Sequence, residues 1–394
     1  MIEDFSEISL KKDEIFRSGY SEEEDLAIRF VSNLLPKEFE IKTDNIGNLI
    51  AIYNQDPLTP KVLLGIHLDT MPFSGKYSSS LPTIIAIESI NKLFEEDFHP
   101  KRPLGLIIFR GTSPIRFSRG CIGSRGAVGE LNEKDLYLSD KDGVLLQDEI
   151  LKRSLGLSSS FPTFFKDDIH TFLELESDFS GILEEKGTPI CTVKNQQGPV
   201  ILKLSIIGGV QYTCCTPFGL IKGPLNAFTK ILDFLYKTLK ENNLFGGMYD
   251  INMEPKVMGV FPTRINFTLD LRSPDLKLRS ELLNKVKSEI NRISEDENCQ
   301  IDILSQNSNS PHIFSDSFID ISNKIFLKND IKPIMIDTGI LSNARWMSLV
   351  SQQTGMLLLK YKRGNSPKKE EVDENDIILS IDIVSEILKE LICL

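Results

Sequence analysis

A chain of 394 residues exceeds one ordinary hydrophobic core and predicts two domains. With 41% hydrophobic and 26% charged residues it has the composition of a soluble globular protein, and a formal charge of −11 argues against nucleic-acid or anionic-membrane partners, which need basic surface. No run of about 18 apolar residues suggests a membrane span, Met1-Ile2-Glu3-Asp4 is no secretory leader, and the six cysteines (Cys121, Cys191, Cys214, Cys215, Cys299, Cys393) lack framework spacing, so reduced thiols in a cytoplasmic protein are the expectation.

In chain order, Ser21 to Leu35 carries apolar residues at helical spacing behind a Ser-Glu-Glu-Glu start, and the acidic cluster Glu22-Glu23-Glu24 reads as a solvated helix start. Gly47 to Tyr53 and Lys61 to Ile66 read as strands, Thr83 to Phe94 as a helix and Leu104 to Phe109 as a buried strand. Strands separated by helices of this length predict a mostly parallel sheet covered on both faces. After about residue 198 the pattern changes. Val200 to Ile207 is a strand, Leu225 to Lys240 an amphipathic helix, Lys256 to Val260 and Arg264 to Arg272 a hairpin around Phe261-Pro262-Thr263, Leu278 to Ile293 a helix and Gln300 to Leu304 a strand. That order is the ferredoxin-like signature. Asn307 to Pro311 reads as a return linker, the alternation resumes from Asp316, and a helix over Asp376 to Leu391 ends it. The predicted fold class is therefore α/β: a doubly wound mixed-sheet domain of catalytic type (residues 1–198 and 311–394) with an inserted α+β lid or dimerisation domain (199–310).

The buried run Val62 to Ile66 ends in His67, with Asp69 two residues on. That arrangement suits a metal-binding imidazole at a strand end with a carboxylate close enough to orient it. One His cannot hold a catalytic ion alone.

Further short segments stand in a recognisable order: Asp44-Asn45-Ile46-Gly47-Asn48-Leu49, His67-Leu68-Asp69-Thr70, Gly75-Lys76-Tyr77, Arg116-Phe117, Gly123-Ser124-Arg125, Glu174-Leu175, Thr216-Pro217 and Asn266-Phe267-Thr268-Leu269-Asp270-Leu271-Arg272. Through them nearly the whole chain resembles the dinuclear-metal amidohydrolases that cleave N-carbamoyl amino acids, ureidopropionate and allantoate, within the aminoacylase and zinc-carboxypeptidase superfamily. The resemblance implies two zinc or manganese ions, an activated water, a carboxylate base and an oxyanion donor. It also implies where these groups should stand, and there this chain differs. The bridging carboxylate corresponds to Ser78, the base and the ligand after it to Thr112 and Ser113, and the His after Glu-Leu to Glu176. The lid His that stabilises the transition state corresponds to Tyr212, and the last ligand His to Ser342. Only His67 remains of the five ligands, so the expectation is a relic without metal or other cofactor.

The first functional expectation is accordingly a pseudoenzyme, a binding, scaffold or regulatory subunit that pairs through its lid as a homodimer or heterodimer and takes an amino-acid-like or peptide ligand. The alternative is an enzyme with metal-independent cleft chemistry in specialised biosynthesis, using Glu176, Asp178, Tyr212, Cys214 and Cys215, with Arg272 and Asn266 binding a ligand carboxylate. Arg272 could equally pair with Asp270. Metal-dependent hydrolysis of ureido or amide bonds ranks last. Only four histidines exist (His67, His99, His170, His312), and none is near Cys214-Cys215 in sequence, which weakens a thiol nucleophile.

Overall fold

The computed structural model describes residues 1–11, 14–54, 56, 58–95, 100–154, 164–165 and 168–393, so His99 lies outside the described residues. The chain divides into two compact units, residues 1–194, 314–336 and 341–394 in the larger and 195–313 and 337–340 in the smaller.

The larger unit is built on a mixed sheet whose strands run in the order Ile190–Gln196, Ser351–Leu359, Ile169–Ser177, Lys61–His67, Leu104–Phe109, Leu49–Tyr53 and Glu40–Thr43. Its centre is parallel: Ser351–Leu359 pairs with Ile169–Ser177, which pairs with Lys61–His67, which pairs with Leu104–Phe109. The outer pairings are antiparallel. Leu104–Phe109 is buried at every position, because a parallel strand covered on both faces needs a continuous apolar run rather than an alternating one. Helices Leu81–Glu95, Asp316–Lys328 and Glu374–Cys393 contribute Ile85, Phe318 and Ile387 to a core shared with these strands. Gly65 leaves room for the Phe172 ring of the neighbouring strand, which a Cβ there would overlap.

The Ser21 hydroxyl caps the helix Glu22–Ser32 by accepting from the Glu24 backbone N–H at 3.2 Å. The helix ends before Leu35, because Pro36 disfavours helical backbone in the residue before it. Glu24 corrects the reading of its cluster as solvated. It is fully buried, accepts from the Tyr20 N–H at 2.6 Å and meets Arg110 Nη1 at 3.0 Å, and burial outweighs Arg110 to push its pKa up to about 7.

The smaller unit has the order strand Gly198–Ile207, helix Pro224–Glu241, strands Gly246–Glu254 and Arg264–Ser273, helix Leu276–Asp296 and strand Gln300–Ser308. Its sheet order is Gly246–Glu254, Arg264–Ser273, Gly198–Ile207, Gln300–Ser308, antiparallel throughout, the ferredoxin-like arrangement. The hairpin differs from its sequence reading. Its first strand is Gly246–Glu254 rather than Lys256 to Val260, and the apolar Val257 and Met258 sit in the connecting turn at 58% and 100% exposure. The apolar run there imitates a strand, while the true edge strand is mostly exposed and shows no period-two pattern.

Gly65→Ala is expected to destabilise the protein by about 1–3 kcal/mol through overpacking against Phe172, read by chemical denaturation. Gly209→Ala, which would meet nothing within 4 Å, is the control expected to show little change.

Candidate active site

His67 closes its strand, and the neighbouring parallel strand pairs Gly65 with Glu174. Two residues further along both strands, His67 Nε2 lies 2.7 Å from Glu176 Oε2. The other ring nitrogen faces the Asp69 carbonyl at 3.0 Å and Asp69 Oδ1 at 3.2 Å. Burial pulls the imidazole pKa down, but Glu176 and Asp69 outweigh it and hold it well above the ordinary value, which favours the cationic ring. Its side chain remains 20% exposed while those of Asp69 and Glu176 are buried, so the imidazole is the member of the group within reach of solvent.

Each carboxylate is fixed by backbone donors. Asp69 accepts from the N–H groups of Thr112 at 3.1 Å and Ser113 at 2.6 Å, and Glu176 Oε1 accepts from the Ser177 N–H at 2.8 Å. Glu174 lies on the same sheet face as Glu176 by the period of two. It accepts from Ser342 Oγ at 2.7 Å, Asn343 N at 3.1 Å, Asn343 Nδ2 at 2.8 Å and Ala344 N at 2.8 Å, and burial still raises its pKa above the usual carboxylate range. Asn343 extends this network, donating to Thr112 Oγ1 at 3.2 Å and accepting from Ser124 Oγ at 2.8 Å. Ser78 is held by a neighbouring loop, its N–H donating to Glu370 Oε2 at 2.9 Å and its hydroxyl accepting from Gly75 N at 3.2 Å. Ser113 Oγ contacts Met71 Sδ at 3.2 Å.

The larger unit thus gathers His67, Asp69, Thr112, Ser342 and Glu176 into a hydrogen-bonded group, with Ser78 and Ser113 on the loops beside it. Asp178 is separate: it accepts from the N–H groups of Ser180 at 2.9 Å and Leu183 at 2.8 Å, binding the following turn. Tyr212, Cys214, Cys215, Asn266 and Arg272 belong to the smaller unit. There Tyr212 bridges to Val260, both thiols are exposed, and Asn266 lies mid-strand opposite Ser205. Arg272 is spent on Asp270 at 2.6 Å and on the Gly339 carbonyl. Glu174 and Asn343 are the residues that sequence reasoning left out. The signal was two carboxylates two apart in an apolar strand, Phe172-Leu173-Glu174-Leu175-Glu176, which puts both on one face.

This donor set does not fit a pair of hard divalent ions. The hydroxyls of Ser78, Thr112, Ser113 and Ser342 are each held by a protein partner, and among the described residues no group of three or more His, Cys, Asp and Glu side chains could hold a metal. What the group can do is move protons, with one cation between two carboxylates.

No protein-family model matches the chain. It is 24% identical over 389 residues to N-carbamoyl-L-amino-acid amidohydrolase of Pseudomonas sp. (strain NS671), covering 96% of this chain and 94% of that protein. It is 26% identical over 399 residues to ureidoglycolate hydrolase of Arabidopsis thaliana, covering 96% and 82%. The crystal structure of an amidase of the hydantoinase/carbamoylase family from Burkholderia multivorans superposes with a TM-score of 0.89 at 17% identity, over 100% of this chain and 96% of that one. Along almost its whole length the chain is thus similar to proteins named as an N-carbamoyl-amino-acid amidohydrolase and a ureidoglycolate hydrolase. Its mixed sheet has the hydantoinase/carbamoylase fold.

That similarity corrects the expectation of a pseudoenzyme serving as a scaffold or regulatory subunit. Proteins similar along almost the whole chain are named as an amidohydrolase and a hydrolase, which speaks against that expectation. The physical reason the sequence misled is that it showed which donors were missing but not that His67, Asp69 and Glu176 close into one ordered group. No helix among the described residues is long and apolar enough to cross a membrane.

Glu174→Ala is expected to cost at least about 3 kcal/mol, since it leaves several buried donors unpaired at once. Urea denaturation checks this, and a change below about 1 kcal/mol would show that the network does not hold the site together.

Proposed function

We propose that this protein hydrolyses a linear C–N bond of amide or ureido type in an amino-acid-like substrate, and that His67 and Glu176 carry the proton transfers. The observation that carries the reading is the His67 imidazole held 2.7 Å from Glu176 at the carboxyl ends of adjacent parallel strands, where open α/β sheets bind their ligands. The substrate class follows from the names of the relatives, an N-carbamoyl-amino-acid amidohydrolase and a ureidoglycolate hydrolase.

Hydrolysis needs a base for the water and an acid for the leaving nitrogen. Glu176 accepts a proton as water oxygen bonds to the substrate carbonyl carbon. His67 gives its Nε2 proton to the nitrogen as the C–N bond breaks. Glu176 then returns its proton to the neutral imidazole across their hydrogen bond, and the pair is reset. Asp69 keeps the ring oriented and stabilises its charge, as it is itself pinned by two backbone N–H groups. The donor set does not fit a pair of ions, so no step is assigned to one.

The test is turnover of N-carbamoyl-L-amino acids, ureidoglycolate and allantoate by the purified chain, its His67→Ala variant and its Glu176→Gln variant. Each variant is expected to lose on the order of a hundredfold or more in kcat/KM while remaining folded by circular dichroism. Absence of turnover across the panel, or variants as active as the parent, would overturn the reading.

A further inference from the structure

Two thiols stand apart from the others. Cys121 and Cys191 are buried, and burial pushes the Cys121 thiol up to about 12 and the Cys191 thiol higher still, which makes both poor nucleophiles. Cys299 and Cys393 are half-buried. Cys214 and Cys215 are both exposed and adjacent in the chain. They sit on a turn anchored at its start by the Tyr212 bridge to Val260 and by the Thr213 N–H donating to the Gly259 carbonyl at 2.9 Å, with the Thr216 N–H closing on the Tyr212 carbonyl at 3.1 Å. The turn therefore leaves both cysteines exposed side by side in the chain. Contact with Cys214 raises the Cys215 thiol above its ordinary value.

We propose that Cys214 and Cys215 form a vicinal-thiol modification site that exchanges with small aliphatic disulfides and closes reversibly to a Cys214–Cys215 disulfide. The Cys214 thiolate attacks one sulfur of an oxidised low-molecular-weight thiol such as glutathione disulfide. The S–S bond of that molecule breaks and one thiolate leaves with the electron pair. Cys215 then gives its proton to solvent and attacks the Cys214 sulfur, displacing the second thiolate. The protein loses two electrons and two protons, and the small disulfide is reduced to two thiols. Adjacent Cα atoms are about 3.8 Å apart, shorter than the usual disulfide span of about 4.4–6.8 Å, so the closed form is readily reduced again. The pair belongs to the smaller unit and His67 and Glu176 to the larger, and the inference does not depend on the hydrolytic reading.

Intact-mass analysis and peptide mapping of the full chain after incubation with oxidised glutathione test it. The parent is expected to become lighter by two hydrogens, to yield a peptide with Cys214 bonded to Cys215, and to revert with dithiothreitol. Cys215→Ser is expected to stop at the mixed disulfide, accumulating at least about tenfold more glutathione on Cys214 than the parent, because the resolving thiol acts intramolecularly. Equal, stable glutathione on Cys214 in both proteins would overturn the proposal, as would modification confined to other cysteines while this pair stays reduced.

Discussion

The site depends on one register: the parallel pairing of Lys61–His67 with Ile169–Ser177, which sets Gly65 opposite Glu174. From that pairing it follows that His67 and Glu176 end side by side and that Glu174 lies one step deeper on the same face. A slip of one residue would turn both carboxylates to the other face and break the imidazole contact. Gly65 is what permits the strands and the Phe172 ring to approach closely enough to fix this register.

Three carboxylates and an imidazole brought together in a mostly buried place are costly unless every lone pair is answered. Here Asp69, Glu174 and Glu176 each accept from backbone N–H groups, and the cation between Asp69 and Glu176 offsets part of the remaining charge. The Ser342 and Thr112 hydroxyls belong to the same arrangement. They are too weak as ligands for a hard ion but well suited to tie Glu174 and Asn343 in place, which leaves the imidazole as the exposed, mobile-proton member of the group.

Much of the fold could be read from residue pattern alone, and the reasons are local. Leu104 to Phe109 and Lys61 to His67 are unbroken apolar runs, and Leu225 to Lys240 and Leu278 to Ile293 alternate at helical spacing, so their elements follow from periodicity. The edge strand Gly246–Glu254 did not, because an exposed edge carries no such pattern and the apolar Val257 and Met258 beside it imitate one. The strands Ile169–Ser177 and Ser351–Leu359 carry the centre of the sheet, but polar residues interrupt the first and the second begins with Ser351-Gln352-Gln353. For the site, His67 and Asp69 stood out because they close a strand. Glu176 is legible both as a substitute for the family's His and as a candidate cleft carboxylate, whereas Glu174 is not legible as a site residue, since a buried carboxylate reveals its purpose only through Ser342 and Asn343, which lie far away in sequence.

The claim that His67 works as a cation paired with Glu176 is tested most directly by nitrogen-15 NMR of its imidazole ring near neutral pH. Both ring nitrogens are expected to carry protons, with the Nε2 proton in a strong hydrogen bond that Glu176→Gln weakens. A ring deprotonated at Nε2, as an imidazole bound to a metal through that nitrogen or a neutral imidazole with its proton on Nδ1 would show, would contradict it.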